Sequence, residues 1–98
     1  MNPVRFHPDA ELEMIEAAVW YESQQTDLGK RFLASVQDAL NRLELNPALY
    51  PIAERDVRRC LTRTFPFGVL FRIGTDMIMA VMHLHRDPDY WKNRKFEP

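Results

Sequence analysis

The sequence predicts an α+β chain in which a helical hairpin is followed by a small sheet. Three observations carry that prediction. Apolar residues recur at helical spacing through residues 8–46. Alternating, then nearly continuous, apolar runs fill residues 57–85. Asn46-Pro47 separates the two regions, because proline disfavours the α conformation in the residue before it.

Each element has a local reason. Val4-Arg5-Phe6 reads as a short strand. In His7-Pro8-Asp9-Ala10-Glu11, proline suits the first helical position and the acids suit the positive end of the dipole. Ala10, Met14, Ala17, Ala18 and Tyr21 share one helical face, with Glu11, Glu13, Glu16 and Glu22 assigned largely elsewhere. Gln24, Gln25 and Thr26 break the pattern, and Asp27 or Thr26 caps a second helix. Leu28, Phe32, Val36, Ala39, Leu40 and Leu43 form its apolar face. Tyr50-Pro51-Ile52 and Glu54-Arg55-Asp56 read as a linker. Val57, Arg59, Leu61, Arg63 and Phe65 alternate with Arg58, Cys60, Thr62 and Thr64, a strand pattern. A second strand spans 67–73, and Gly74-Thr75-Asp76 supplies a hairpin turn. Residues 77–85 form a third strand whose apolar run implies burial on both faces and a central place. Residues 86–91 leave the sheet, and 92–98 form a basic tail.

The 98 residues fit one domain, 1–98, of ordinary soluble composition: 46% hydrophobic and 28% charged. The single Cys60 has no internal disulfide partner, which suits a reducing cytoplasm. No apolar run is long enough to span a bilayer, and no signal-peptide pattern opens the chain. Residues 1–50 carry 4 Lys and Arg against 8 Asp and Glu, whereas 51–98 carry 9 against 6. A sheet half richer in cations can orient an acidic partner. The sequence pI of about 6.3 is far below that of dedicated nucleic-acid binders, about 9 or more.

No cofactor or metal motif is present. His83 and His85 share a strand face but lack the further ligands a metal site needs, so packing is the reading for at least one of them. Cys60, mid-strand among apolar neighbours, reads as a small buried hydrophobe. The arginines are the better lead. Arg59 and Arg63 fall on one strand face, Arg58 on the other; Arg72 lies near the next turn and Arg86 after the last strand. Rigid guanidinium forks match phosphate or carboxylate. The alternative is a set of solvated edge charges that discourage aggregation. Trp91 reads as a lid folded back on the core, and Tyr90 as a packing residue or, with a lowered pKa, a general base.

The chain resembles the RelE/ParE toxins of bacterial type II toxin–antitoxin systems, whose ParE-like members include plasmid stabilisation proteins. The matching pieces run in order: Phe6-His7-Pro8-Asp9-Ala10-Glu11, Trp20-Tyr21-Glu22, Leu28-Gly29-Lys30-Arg31-Phe32, Asn46-Pro47, Arg58-Arg59-Cys60-Leu61, Phe65-Pro66-Phe67, and His83-Leu84-His85-Arg86-Asp87-Pro88 with Trp91. The resemblance implies a hairpin of helices on a small twisted, mainly antiparallel sheet, and a cognate antitoxin that wraps and blocks the toxin.

It also implies one of two activities. RelE-like members cleave mRNA in the ribosome; Arg59, Arg86, His83 and Tyr90 would carry that reaction here. The position after Phe67, basic in those members, is Gly68, and the chain has only Lys30, Lys92 and Lys95 as lysines. ParE-like members bind DNA gyrase, and the long hairpin and the Arg-Asp-Pro-x-x-Trp ending resemble them more. Arg58, Arg59, Arg63, Arg72, Arg86 and Trp91 would then meet target or antitoxin. A third reading is a non-toxic member that binds its antitoxin and co-represses the operon.

Overall fold

The computed structural model describes residues 2–95. The order is β1 (Arg5–Phe6), α1 (Pro8–Gln24), α2 (Leu28–Leu45), a 3-10 turn (Pro47–Leu49), β2 (Ile52–Glu54), β3 (Val57–Leu61), β4 (Phe67–Arg72) and β5 (Met77–His83). Two helices pack on one face of a five-stranded sheet of order β1-β5-β4-β3-β2. Only β1 runs parallel to its neighbour; the other pairings are antiparallel. The α+β class and the mainly antiparallel sheet are as expected. No helix of the described residues is long and apolar enough to cross a membrane.

The helix faces hold. Ala10 and Ala18 of α1, and Phe32, Val36, Ala39, Leu40 and Leu43 of α2, are buried against Cys60, Phe67, Val69, Phe71, Ile78 and Val81. Tyr21, Phe32, Phe65 and Phe67 stack edge-on at one end of this core. Cys60 is fully buried, as its sequence context implied, and burial pushes its thiol pKa up.

Helix capping differs from expectation. Asp27 stands at φ 69° and makes no side-chain cap bond. Instead Glu22, at the end of α1, accepts from the Asp27 and Gly29 amides at 2.9 and 3.0 Å. That capture needs close helices. A Cβ on Gly29 would overlap the Ala18 carbonyl oxygen and reach 3.0 Å from Glu22 Cβ. Because the clash is with backbone, Gly29→Ala is expected to destabilise the fold by about 2–3 kcal/mol. A urea denaturation midpoint within error of the parent would remove this account of the helix crossing.

The 50–56 linker is corrected in part. Its middle forms β2, paired with β3 through a tight turn in which Arg55 takes φ 52°. Three residues beside Pro51 carry no alternation, so nothing local signals a strand. The strand read through residue 65 stops at Leu61. Thr62 Oγ1 donates towards the Phe65 and Phe67 carbonyls, and Thr64 turns at φ 72°. The strand read through residue 85 stops at His83, where a turn begins with Arg86 N–H donating to His83 O. β5 is interior, between β1 and β4, and β4 holds the middle place. The basic tail read over 92–98 is described only to Lys95; 96–98 lie outside the described residues.

The sheet has a second, outer core. Val57, Leu70, Met77, Met79, Ala80 and Met82 pack under Trp91, which is 3% exposed. Trp91 is the lid its position suggested. A register shift opposite Leu70 and Phe71 turns both Met79 and Ala80 to this side.

Candidate functional site

The pleat decides where the arginines go. Cross-strand partners share a face. Arg59 pairs with Leu70, and Leu61 with Gly68, so these stand on the outer face; Arg58 pairs with Phe71 on the helix side. Arg58 Nη1 donates to the Tyr50 and Ala48 carbonyls at 2.7 and 3.3 Å, which ties the 3-10 turn to the sheet. Those bonds engage its guanidinium within the fold.

Arg59 is different. Its side chain makes no hydrogen bond or ion pair among the described residues. Its stem lies across Gly68, where a Cβ would come within 3.1 Å of both its Cγ and Cδ. Glycine at 68 therefore lets the guanidinium reach over the sheet. It opens on a cavity of about 400 Å³ lined by Ile52, Ala53, Glu54, Leu70, Met82, Pro88, Asp89 and Trp91. Glu54 and Asp89 are held by Lys92 at 3.2 and 2.8 Å, so they are engaged elsewhere than at Arg59. A guanidinium with no ion pair among the described residues, at a hollow of mixed polar and apolar lining, is a binding feature for a carboxylate or phosphate group.

Arg63 does not join it. With β3 ended at Leu61, Arg63 swings towards α2 and stands 3.8 Å from Asp38, which Arg42 already holds at 2.9 Å. Both Arg63 and Asp38 are substantially exposed, so this pair contributes little. Arg72 is on the outer face but paired with Asp56 at 3.1 Å. Trp91 is buried packing and offers no free surface of its own beyond the cavity wall.

Arg86 lies past the end of β5 beside α1. Its guanidinium is 3.3 Å from Glu13 and 3.6 Å from the centre of the Tyr90 ring. Glu13 also receives Arg94 through two bonds of 2.8 and 3.0 Å, and accepts from Val81 N–H at 3.2 Å. Arg94 donates further to Met79 O at 3.0 Å. This latch fastens the C-terminal segment to α1 and satisfies backbone groups on the edge of β5 beyond its short pairing with β1. The sequence placed Glu13 largely off the buried face. Its side chain is 13% exposed. The signal was its spacing, three residues after Ala10 and four before Ala17.

The catalytic set suggested for cleavage does not converge. Phe67 pairs with His83, so His83 stands on the helix side, opposite Arg59. Its ring packs on Phe67, and its Nδ1 accepts from His85 N–H at 3.1 Å. No group of three His, Cys, Asp or Glu that could hold a metal occurs among the described residues. Arg86 is separated from Arg59 by β4 and β5, about 10 Å of sheet. The Tyr90 hydroxyl is buried with no hydrogen-bond partner among the described residues. Burial first, and the Glu13 carboxylate second, push its pKa up, against the opposing Arg94 and Arg86 charges. A general base needs the reverse shift.

The Tyr90 shift has a measurable consequence. A folded-state pKa above the unfolded value of about 10 favours folding below that pH and is lost as pH rises past it. The urea midpoint is expected to fall between pH 9 and 11, and less steeply in Tyr90→Phe. Tyr21, also raised by burial, keeps a residual slope in that variant. Equal slopes in both proteins would show that Tyr90 ionises freely.

The sequence model of a family described as the ParE toxin of type II toxin-antitoxin system, parDE, matches residues 4–88. Separately, 51 residues are 43% identical to part of cytochrome P450 3A29 of Sus scrofa, covering 51% of this chain and 10% of that protein. The chain thus spans about a tenth of that curated relative, too small a share to carry its fold or activity here.

Proposed function

We propose that this chain, which belongs to the ParE toxin family of type II toxin–antitoxin systems, arrests growth by binding a cytoplasmic target such as DNA gyrase through its outer sheet face. A cognate antitoxin neutralises it by covering that face. The observation that carries this reading is Arg59, unpaired beside an open hollow, while the groups needed for proton transfer stand apart. Binding asks only for a charged anchor and a shaped apolar wall. Ribosome-dependent mRNA cleavage asks for a base and an acid within reach of one phosphate, and the raised Tyr90 pKa weighs against it.

An antitoxin partner is further supported by α1. Leu12, Ile15 and Val19 stand exposed along one stripe of that helix, with Leu33 exposed on neighbouring α2. A contiguous apolar stripe on a chain this small is a partner's footprint.

Induction in growing cells tests the reading. The expected result is growth arrest with SOS induction, intact transcripts by primer extension, and inhibited supercoiling by purified gyrase. Codon-phased transcript cleavage would transfer the chain to the ribonuclease reading. Unimpeded growth would leave antitoxin binding and co-repression.

A further inference from the structure

A second basic feature lies away from Arg59. A cavity of about 740 Å³ opens between the β2–β3 turn, the β4–β5 turn and the C-terminal segment. Arg55, Arg72, Lys92, Arg94 and Lys95 line it, with Thr75 and Asn93 and no acid among the described residues. Lys92, bridging Glu54 and Asp89, forms the partition from the hollow that holds Arg59. Arg72, Lys92 and Arg94 are each held by acids that lie outside the lining. Arg55 and Lys95 have no side-chain hydrogen bond or ion pair among the described residues. The Thr75 hydroxyl is buried at the wall without a partner among the described residues.

We propose that this cavity binds a phosphate group. Arg72, Lys92 and Arg94 are balanced by their acids, whereas Arg55 and Lys95, brought together from two separate segments, repel each other unless an anion joins them. Their two charges match the charge of a phosphate monoester or of two successive nucleic-acid phosphates. A carboxylate offers two oxygens in one plane. A tetrahedral phosphate offers acceptors in several directions, as donors approaching from three sides require. The volume exceeds that of bare phosphate, so a phosphate ester or a nucleic-acid backbone is the chemistry that fits.

The test is an amide-resonance titration of the full chain with inorganic phosphate, a single-stranded RNA octamer and a glutamate octapeptide. Saturable shifts at residues 55, 72, 75 and 92–95 are expected. Arg55→Gln with Lys95→Gln is expected to weaken RNA binding at least tenfold and to lower the salt slope by about 0.7 per removed cation. Neither side chain has a partner among the described residues, so the thermal midpoint stays within about 3 °C of the parent. Arg59→Glu leaves these shifts in place, which separates this site from the growth-arrest reading. RNA without phosphate binding assigns the site to a nucleic-acid backbone; binding of both assigns it to phosphate generally. No shift with either probe, equal affinity in the double variant, or a glutamate peptide binding as well as RNA overturns the proposal.

Discussion

Replacing Glu13 by alanine is expected to lower the thermal midpoint by roughly 10–20 °C. One carboxylate holds Arg94 through two short bonds, reaches Arg86, and accepts the Val81 amide. Arg94 is only 12% exposed. Truncation leaves that charge with Met79 O and a distant Asp9 at 3.8 Å. Breaking one side of a buried pair costs about 3 kcal/mol or more, because the surviving charge stays desolvated. For a chain this size each kcal/mol moves the midpoint by about 4–8 °C. The C-terminal segment loosens with it, so the emission of buried Trp91 shifts to the red. Glu13→Gln, which keeps the shape and the amide bond, is expected to lose about half as much. A midpoint within about 3 °C of the parent in Glu13→Ala would show that the latch is ornamental.

Arg59→Glu is expected to abolish growth arrest while the protein stays folded. The Arg59 side chain has no hydrogen bond or ion pair among the described residues to lose, so stability changes little. At the proposed interface the change replaces attraction by repulsion and sets a third acid beside Glu54 and Asp89. Reversing a charge at a desolvated contact costs several kcal/mol, about a hundredfold or more in affinity. Arg63→Glu serves as the control. Its side chain stands by α2 and is 72% exposed, so affinity is expected to change by less than about threefold. The same pair of variants, measured by calorimetry against the antitoxin, tells whether the antitoxin uses the same anchor. Full toxicity in Arg59→Glu, or equal losses in both variants, would remove the outer face from function.

The contrast between those two arginines shows where sequence reading stops. Alternation placed Arg59 and Arg63 together because a strand of period two was extended to Phe65. The strand ends at Leu61 because Thr62 turns its hydroxyl back onto two carbonyls, a local competition the alternation does not record. β2 was missed for the opposite reason. Three residues become a strand only because β3 lies alongside. Tyr90 was weighed as a base because arginines are near. Burial outweighs them, and burial depends on how residues 86–95 fold back.

Helical periodicity, the breaks at Gln24–Thr26 and Asn46-Pro47, the glycine turn at 74 and the apolar run of β5 suffice for the hairpin, the strands other than β2 and the inner core. These follow from spacing along one chain, where neighbours are known in advance. Which arginine remains unpaired, which acid becomes a latch and where two cavities open are set by residues such as Glu13 and Arg94, 81 positions apart. Free energies of charged groups depend on distance and on exclusion of water, and both exist only once the segments have packed.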